Sequence, residues 1–218
     1  MLKYEILVLG ELKTNCYLLW ETDSNEAIVI DAADEGDVVA EEIERRNLKL
    51  KMVLTTHGHF DHNLAVLDLK LIYGVPFGCS SKDLFLIERQ AETAKHFLGK
   101  NKIVAPNINK IEIDLDSLEE IELGKYKIKV IKTPGHTPGG VSFLVEDILF
   151  TGDTLFAEGL RGDTKHSYSS TKAIFNSICK LLRLPGETIV LSGHGEETTI
   201  GEAKKLFNCQ YCELPDRA

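Results

Sequence analysis

The sequence predicts an α/β chain in which two β-sheets stack face to face with helices outside. Two observations carry this expectation. Runs dense in β-branched and aromatic residues fall into two groups, one in each half of the chain, and each group is finished by amphipathic helical segments. A sheet covered by helices on one face must bury its other face as well, and a second sheet is the simplest partner. At 218 residues, with 43% hydrophobic and 27% charged, the composition is that of a folded chain large enough for a sizeable core. No repeat, low-complexity stretch or Pro/Gly linker divides it, so one domain over residues 1–218 is expected.

Taken in order, Tyr4–Leu9, Cys16–Trp20 and Ala27–Ile30 read as the opening strands. Val38–Arg46 puts charges on one side of a helical period and apolar residues on the other. Lys51–Thr55 is a short strand of the buried type that runs straight into a histidine-rich loop. Leu64–Ile72 and Lys82–Phe97 read as helices, with a Val75–Cys79 strand between them, and a polar connector follows near residues 99–109. β patterns return at Lys127–Lys132, Val141–Val145 and Ile148–Thr151. Lys172–Leu182 is an amphipathic helix, Thr188–Leu191 a strand and Ile200–Phe207 a final helix.

The formal net charge of −9 argues against a surface built to grip phosphate backbones, so no nucleic-acid partner is expected. It leaves room for an acidic small-molecule substrate, because the field inside a cleft can oppose the sign of the whole. No apolar run approaches the roughly 20 residues of a membrane-spanning helix, and residues 1–10 read as a strand rather than a signal peptide. The five cysteines (Cys16, Cys79, Cys179, Cys209 and Cys212) are odd in number and mostly far apart. No disulfide framework is expected, and the cytoplasm is the natural compartment.

Three of the seven histidines stand in one short run, Thr56-His57-Gly58-His59-Phe60-Asp61-His62. Imidazole and carboxylate suit zinc and related divalent ions. On an extended loop, residues two apart point the same way, so His57 and His59 can converge on one ion. Asp61 and His62 are adjacent and diverge from that pair; a second ion beside the first is their simplest use. Three turn-like segments after strands can complete the set. They are Thr133-Pro134-Gly135-His136-Thr137-Pro138-Gly139-Gly140, Phe150-Thr151-Gly152-Asp153-Thr154 and Leu191-Ser192-Gly193-His194-Gly195. A carboxylate has two oxygens and can bridge two ions, which suits Asp153. His96 and His166 stand alone in polar surroundings and read as surface residues.

Through these motifs the chain resembles the metallo-β-lactamase superfamily over nearly its whole length. The resemblance implies a four-layer αββα sandwich, two mixed sheets with helices outside and the metals at one edge between the sheets. It also implies a cofactor of two divalent ions, zinc foremost with iron or manganese as alternatives. One ion would be held by His57, His59 and His136, the other by Asp61, His62 and His194, with Asp153 shared.

Within the superfamily, the stretch from Gly193 to Glu202 (Gly-His-Gly-Glu-Glu-Thr-Thr-Ile-Gly-Glu) is similar to the ending of hydroxyacylglutathione hydrolases. Thr154-Leu155-Phe156 with Arg161-Gly162-Asp163 is similar to their Leu-Phe…Gly-Arg-x-Asp element, here with Leu160 between Gly159 and Arg161. Arg161 either orients that loop through Asp163 or faces the cleft as a substrate contact. Asn63, with Leu64, stands where the family usually has small residues and is carried as a second candidate contact.

The implied chemistry is metal-assisted hydrolysis. Two ions about 3.5–4 Å apart can share a hydroxide that attacks a carbonyl carbon at neutral pH. A thiolate leaves readily and is a good metal ligand, so a small thioester is the natural substrate. Asp153, which would hold both ions, and Asp61, close enough to the nucleophile to take a proton, are the catalytic candidates. Glutathione-specific members carry a further helical segment, and only 18 residues follow Ile200 here. A broader small-thioester hydrolase, monomeric or homodimeric, is therefore expected.

The main rival is similar to persulfide dioxygenases, in which a single non-haem iron would be held by His57, His136 and Asp153. The Thr-Thr-Ile-Gly-Glu ending points away from a β-lactamase, the acidic charge from a nuclease, and His59, where flavodiiron proteins have Glu, from a flavodiiron role. A non-enzymatic metal or redox module would rest on Cys209-Gln210-Tyr211-Cys212, a dithiol or half a zinc site with no second pair.

Overall fold

A computed structural model describes residues 1–100, 106–108, 110–159 and 161–207. Two six-stranded sheets form from these residues. The first holds β1 (Leu2–Leu9), β2 (Thr14–Glu21), β3 (Glu26–Ile30), β4 (Lys49–Leu54), β5 (Phe77–Cys79) and β6 (Ile113–Asp114), side by side in chain order. The second holds β7 (Glu120–Leu123), β8 (Tyr126–Lys132), β9 (Val141–Val145), β10 (Ile148–Gly152), β11 (Ile189–Ser192) and β12 (Thr198–Thr199), likewise in chain order. Both sheets are mixed. β1 to β3 and β7 to β10 pair antiparallel, while β3 to β6 and the β10–β11 pair are parallel.

Parallel neighbours need a crossover, and helices supply it. α1 (Gly36–Arg45) joins β3 to β4, α2 (Val66–Tyr73) joins β4 to β5, and α5 (Thr171–Leu181) joins β10 to β11. α3 (Leu84–Ile87) and α4 (Gln90–Leu98) follow β5, and α6 (Ile200–Leu206) follows β12. Ser170 caps α5 by accepting the Ala173 N–H, and Thr199 caps α6 by accepting that of Glu202.

The inner strands β2, β3, β10 and β11 are buried on both faces, and the two-residue period sorts their side chains into separate cores. On β2 and β3, Tyr17, Leu19, Ile28 and Ile30 meet Ile128, Phe143, Phe150 and Leu191 of the second sheet. The alternate residues Cys16, Leu18, Ala27 and Val29 pack instead against Val39 and Ile43 of α1 and Val66 and Leu69 of α2. Across the molecule, Leu149 and Val190 pack on Ile174, Ile178 and Leu181 of α5 and Ile200 of α6. The result is the αββα sandwich.

Three features depart from the reading of the sequence. The helix expected over Lys82–Phe97 is broken into a 3₁₀ turn, α3 and α4, with Arg89 at φ −123° and ψ 13° between them. No Gly or Pro marks that break. The two-residue strands β6 and β12 are too short to leave a period, and β7 was not anticipated either. Cys16 and Cys79 are free and buried, whereas Cys179 is disulfide-bonded, a bridge that falls short of a framework but that the odd, scattered cysteines did not announce. Spacing along the chain carries no information on which thiols meet in space. Cys209 and Cys212 lie outside the described residues.

Candidate metal centre

β4, β8, β10 and β11 all end at one edge of the sandwich, and each hands the chain to a loop that begins there. His57 to His62 follow β4, His136 follows β8, Asp153 follows β10 and His194 follows β11. Parallel pairing of β10 with β11, which sets Gly152 opposite Ser192, brings Asp153 and His194 together. The two sheets are stitched at this edge by the main chain. Val141 N–H donates to Thr56 O (2.8 Å), Asn15 N–H donates to Gly193 O (2.8 Å), and Thr14 forms an isolated bridge with His194.

The donors fall into two groups that share a border. Nδ1 of His59 lies 3.2 Å from Nε2 of His57 and 2.9 Å from Nε2 of His136. In the other group, Oδ2 of Asp61 lies 3.6 Å from Nε2 of His62 and 3.3 Å from Nε2 of His194. Asp153 stands between them with its oxygens divided. Oδ2 faces Nε2 of His136 at 3.4 Å, while Oδ1 faces Nε2 of His62 at 3.5 Å and of His194 at 3.9 Å. His57–His59–His136, His57–His62–Asp153 and Asp61–His62–His194 are each compact enough to hold an ion.

The donor set fits a pair of divalent cations. Nitrogen and carboxylate oxygen suit zinc, iron and manganese alike. Nε2 of His62 and Oδ1 of Asp153 are buried without a hydrogen-bond partner among the described residues. Buried polar atoms are seldom left so, and a cation between them would satisfy both. The backbone makes room for this approach at Gly193, where an added Cβ would stand 2.2 Å from Asp153 Oδ1 and 2.6 Å from His62 Cε1. At Gly152 a Cβ would strike Thr56 Oγ1 at 2.2 Å, and its φ of +50° is left-handed.

Electrostatics prepare the two groups differently. Burial, with the neighbouring His62, His59 and His136, pushes His57 well below the ordinary histidine range. Burial and the adjacent His136 bring His59 down to about 3. Both rings are therefore neutral, the form a metal needs. Burial also opposes charge on His62, but the carboxylates of Asp61, Asp31 and Asp153 outweigh it and push the ring up to about 10. Asp61 is held below its usual range because His62 and His194 outweigh the opposing effect of its burial.

A ring of supporting residues, unmarked by any motif, fixes these donors. Asp31 is fully buried; it accepts from Thr55 Oγ1 (3.1 Å), Thr56 N–H (2.7 Å) and Thr56 Oγ1 (2.8 Å), and its Oδ2 lies 3.0 Å from His62 Nδ1. Thr56 Oγ1 also meets His57 Nδ1 at 3.1 Å. Asp83 is fully buried and ties two loops together. It accepts from Gly58 N–H (2.9 Å), Thr137 Oγ1 (2.6 Å) and Gly139 N–H (2.7 Å). Asn15 Nδ2 donates to the carbonyls of Ser192 (2.9 Å) and Gly195 (3.0 Å), which shapes the turn carrying His194.

A cavity of about 450 Å³ opens over the centre, with His59, Asp61, His136 and Asp153 in its floor. Leu12, Phe60, Leu86 and Phe97 give it an apolar side; Arg89, Thr93 and His96 line it from the α4 segment, and His166 and Tyr168 from the loop before α5. His96 and His166, expected on the plain surface, are exposed but face this cavity. The two candidate substrate contacts stand elsewhere. Asn63 is fully buried and donates to the carbonyls of His57 (3.0 Å) and His59 (2.7 Å), so it holds the ligand loop in shape. Arg161 does not line the cavity; its guanidinium lies 5.0 Å above the Phe175 ring and donates to Gly162 O at 3.2 Å.

Residues 9–194 match the family model described as the metallo-beta-lactamase superfamily, and the chain belongs to that family. It is similar to hydroxyacylglutathione hydrolase GloC of Haemophilus influenzae, with 36% identity over 208 residues covering 92% of this chain and 94% of that one. Among solved structures it is similar to the B3 metallo-beta-lactamase BLEG-1 (TM-score 0.86, 29% identity, 94% of this chain and 100% of that one). It is also similar to TTHA1623 in a di-iron-bound form (TM-score 0.80, 30% identity, 92% and 96% covered).

Proposed function

We propose that the protein is a metal-dependent hydrolase of small thioesters, acting on hydroxyacyl thioesters of the kind named for GloC. The observation that carries the reading is the division of the Asp153 oxygens between two compact donor groups at the floor of a substrate-sized cavity. His57, His59 and His136 would hold one divalent ion and Asp61, His62 and His194 the other, with Asp153 between them. When bound, such ions supply Lewis acidity and bring the pKa of water towards neutrality.

The chain's own residues do the rest. Asp61 faces the cavity with an oxygen that also accepts from Thr14 Oγ1 at 3.2 Å, and it is placed to take the proton from an attacking water. The apolar side suits an acyl chain, and Arg89 and His96 give the opposite wall donors for a carboxylate despite the net charge of −9. Among the described residues no helix is long and apolar enough to cross a membrane. A small-molecule substrate, a monomer or homodimer and a cytoplasmic location complete the proposal.

Elemental analysis of carefully purified protein comes first, followed by a panel of thioesters with thiol release as the readout. Two ions of zinc, iron or manganese per chain and turnover of hydroxyacyl thioesters are the expected results. A single iron per chain, with oxygen uptake on a persulfide, would replace the reading with that of a dioxygenase. Turnover of a β-lactam in place of any thioester would replace it with that of a lactamase.

A further inference from the structure

Four of the ligand histidines rest their second ring nitrogen on a partner, and three of those partners lie away from the cavity. His57 leans on Thr56 Oγ1, His62 on Asp31 and His136 Nδ1 on the Asp163 carbonyl at 2.7 Å. The fourth is different. His59 Nε2 meets the Tyr168 hydroxyl at 2.9 Å, and Tyr168 is a half-buried residue of the cavity wall. Because Nδ1 of His59 is turned towards His57 and His136, its lone pair must face inward for a metal. Nε2 then carries the hydrogen and donates it to the Tyr168 oxygen.

Two rings hold that phenol in place. His166 stacks on it at 5.0 Å and 6°, and Phe85 meets its edge at 5.4 Å. The rest of the loop reaches His136, the turn before it and the main chain of the shared Asp153. Gly162 N–H donates to Asp153 O (2.8 Å), Ser169 Oγ to His136 O (2.7 Å) and Ser170 N–H to Gly135 O (2.8 Å). Among the described residues no hydrogen bond from 162–170 reaches Asp61, His62 or His194; those are braced by Asp31, Thr14 and the Asn15-held turn.

We infer that Tyr168 is a positioning residue for the His57–His59–His136 site, and that the loop carrying it sets the metal affinity of that site separately from the Asp61–His62–His194 site. The inference rests on reading these residues as metal ligands and is independent of the thioester. A substrate filling the cavity would touch the phenol that orients His59, so occupancy of the cleft is coupled through Tyr168 to the His57–His59–His136 site.

Metal-free protein titrated with Zn²⁺ against a chromophoric chelator tests this. Tyr168→Phe keeps the stacked ring and deletes only the hydroxyl. The expected result is one binding step weakened about 10- to 100-fold, the other step unchanged, and the melting temperature of the metal-free protein unchanged. In a His194→Ala background, where the first site is the stronger one left, the Tyr168→Phe loss should persist in full. Lys165→Ala, an exposed change on the same loop, should leave both steps alone. A Tyr168→Phe isotherm matching the wild type would overturn the inference, and so would equal weakening of both steps or the same loss in Lys165→Ala. A wild type that takes up no zinc would defeat the metal reading and this inference with it. One that binds zinc but hydrolyses no thioester would defeat only the thioester reading, leaving the isotherms to decide Tyr168.

Discussion

Asp31 and Asp153 are both carboxylates at the edge of the sandwich, yet they do different work. Asp153 aims its oxygens at histidines of both donor groups, so Asp153→Ala should cost at least one ion per chain and lower turnover by about 100-fold or more. Metal content and rate measured on the same preparation check this. His62 supplies a pH dependence. Its ring is pushed up to about 10 in the ion-free protein, so below that pH a metal entering at Nε2 must displace a proton. Affinity for that ion should therefore rise with pH, by up to about tenfold per unit from this group. Zinc titrations at about pH 6 and pH 8 would show it, and a flat profile would contradict it. The donors themselves were legible in the sequence because each stands in a short motif or a Gly-framed turn. Asp31, Asp83 and Tyr168 were not, because each reaches its partner across a long stretch of chain with no spacing to mark the contact.

Elements were legible in proportion to their length and to how fully packing agrees with local preference. β2 and β3 are apolar on both faces because each face meets a different core, and such runs read plainly as strands. The α3–α4 break did not read, because Asp83 is committed to Gly58, Thr137 and Gly139 while the α4 segment must present Thr93 and His96 to the cavity. Tertiary demands of that kind leave no local trace. At the end of β2, Glu21 accepts from Ser24 N–H (2.7 Å) and Asp23 N–H (3.1 Å) and faces the N-terminal ammonium at 3.5 Å. Burial alone would raise this carboxyl, but the hydrogen bonds prevail and hold it at about 2. A depressed acid stabilises the fold above its ordinary range near 4.5, and the contribution fades as pH falls towards 2. Glu21→Gln should thus lower the melting temperature at neutral pH and flatten its decline in acid, which a series of thermal melts would test.

For the whole molecule, stability rests on the layer between the sheets and on the edge where they are stitched. Phe143 is fully buried in that layer, and Phe143→Ala should cost about 3–5 kcal/mol. Denaturant unfolding would measure it. Seven inward-facing donors in the native state, dispersed in the unfolded one, mean that ions stabilise by mass action. Chelation should lower the melting temperature by on the order of 10 °C. No change on chelation would argue that the donors hold nothing.

The stitched edge also bears on biosynthesis. His57 to His62 leave the ribosome early, together with the strands they hang from; the Val141–Thr56 bond can join the sheets once residue 141 is made, whereas the Asn15–Gly193 and Thr14–His194 contacts await residues 193 and 194. At roughly 5–20 residues per second, the nascent protein spends several seconds with half a coordination sphere on display. Any ion captured in that interval would be held by fewer donors and would exchange more readily. On the metal-centre reading, the Asp61–His62–His194 group is complete only once residue 194 has been made, so its metal content would be set by the ions present after that point.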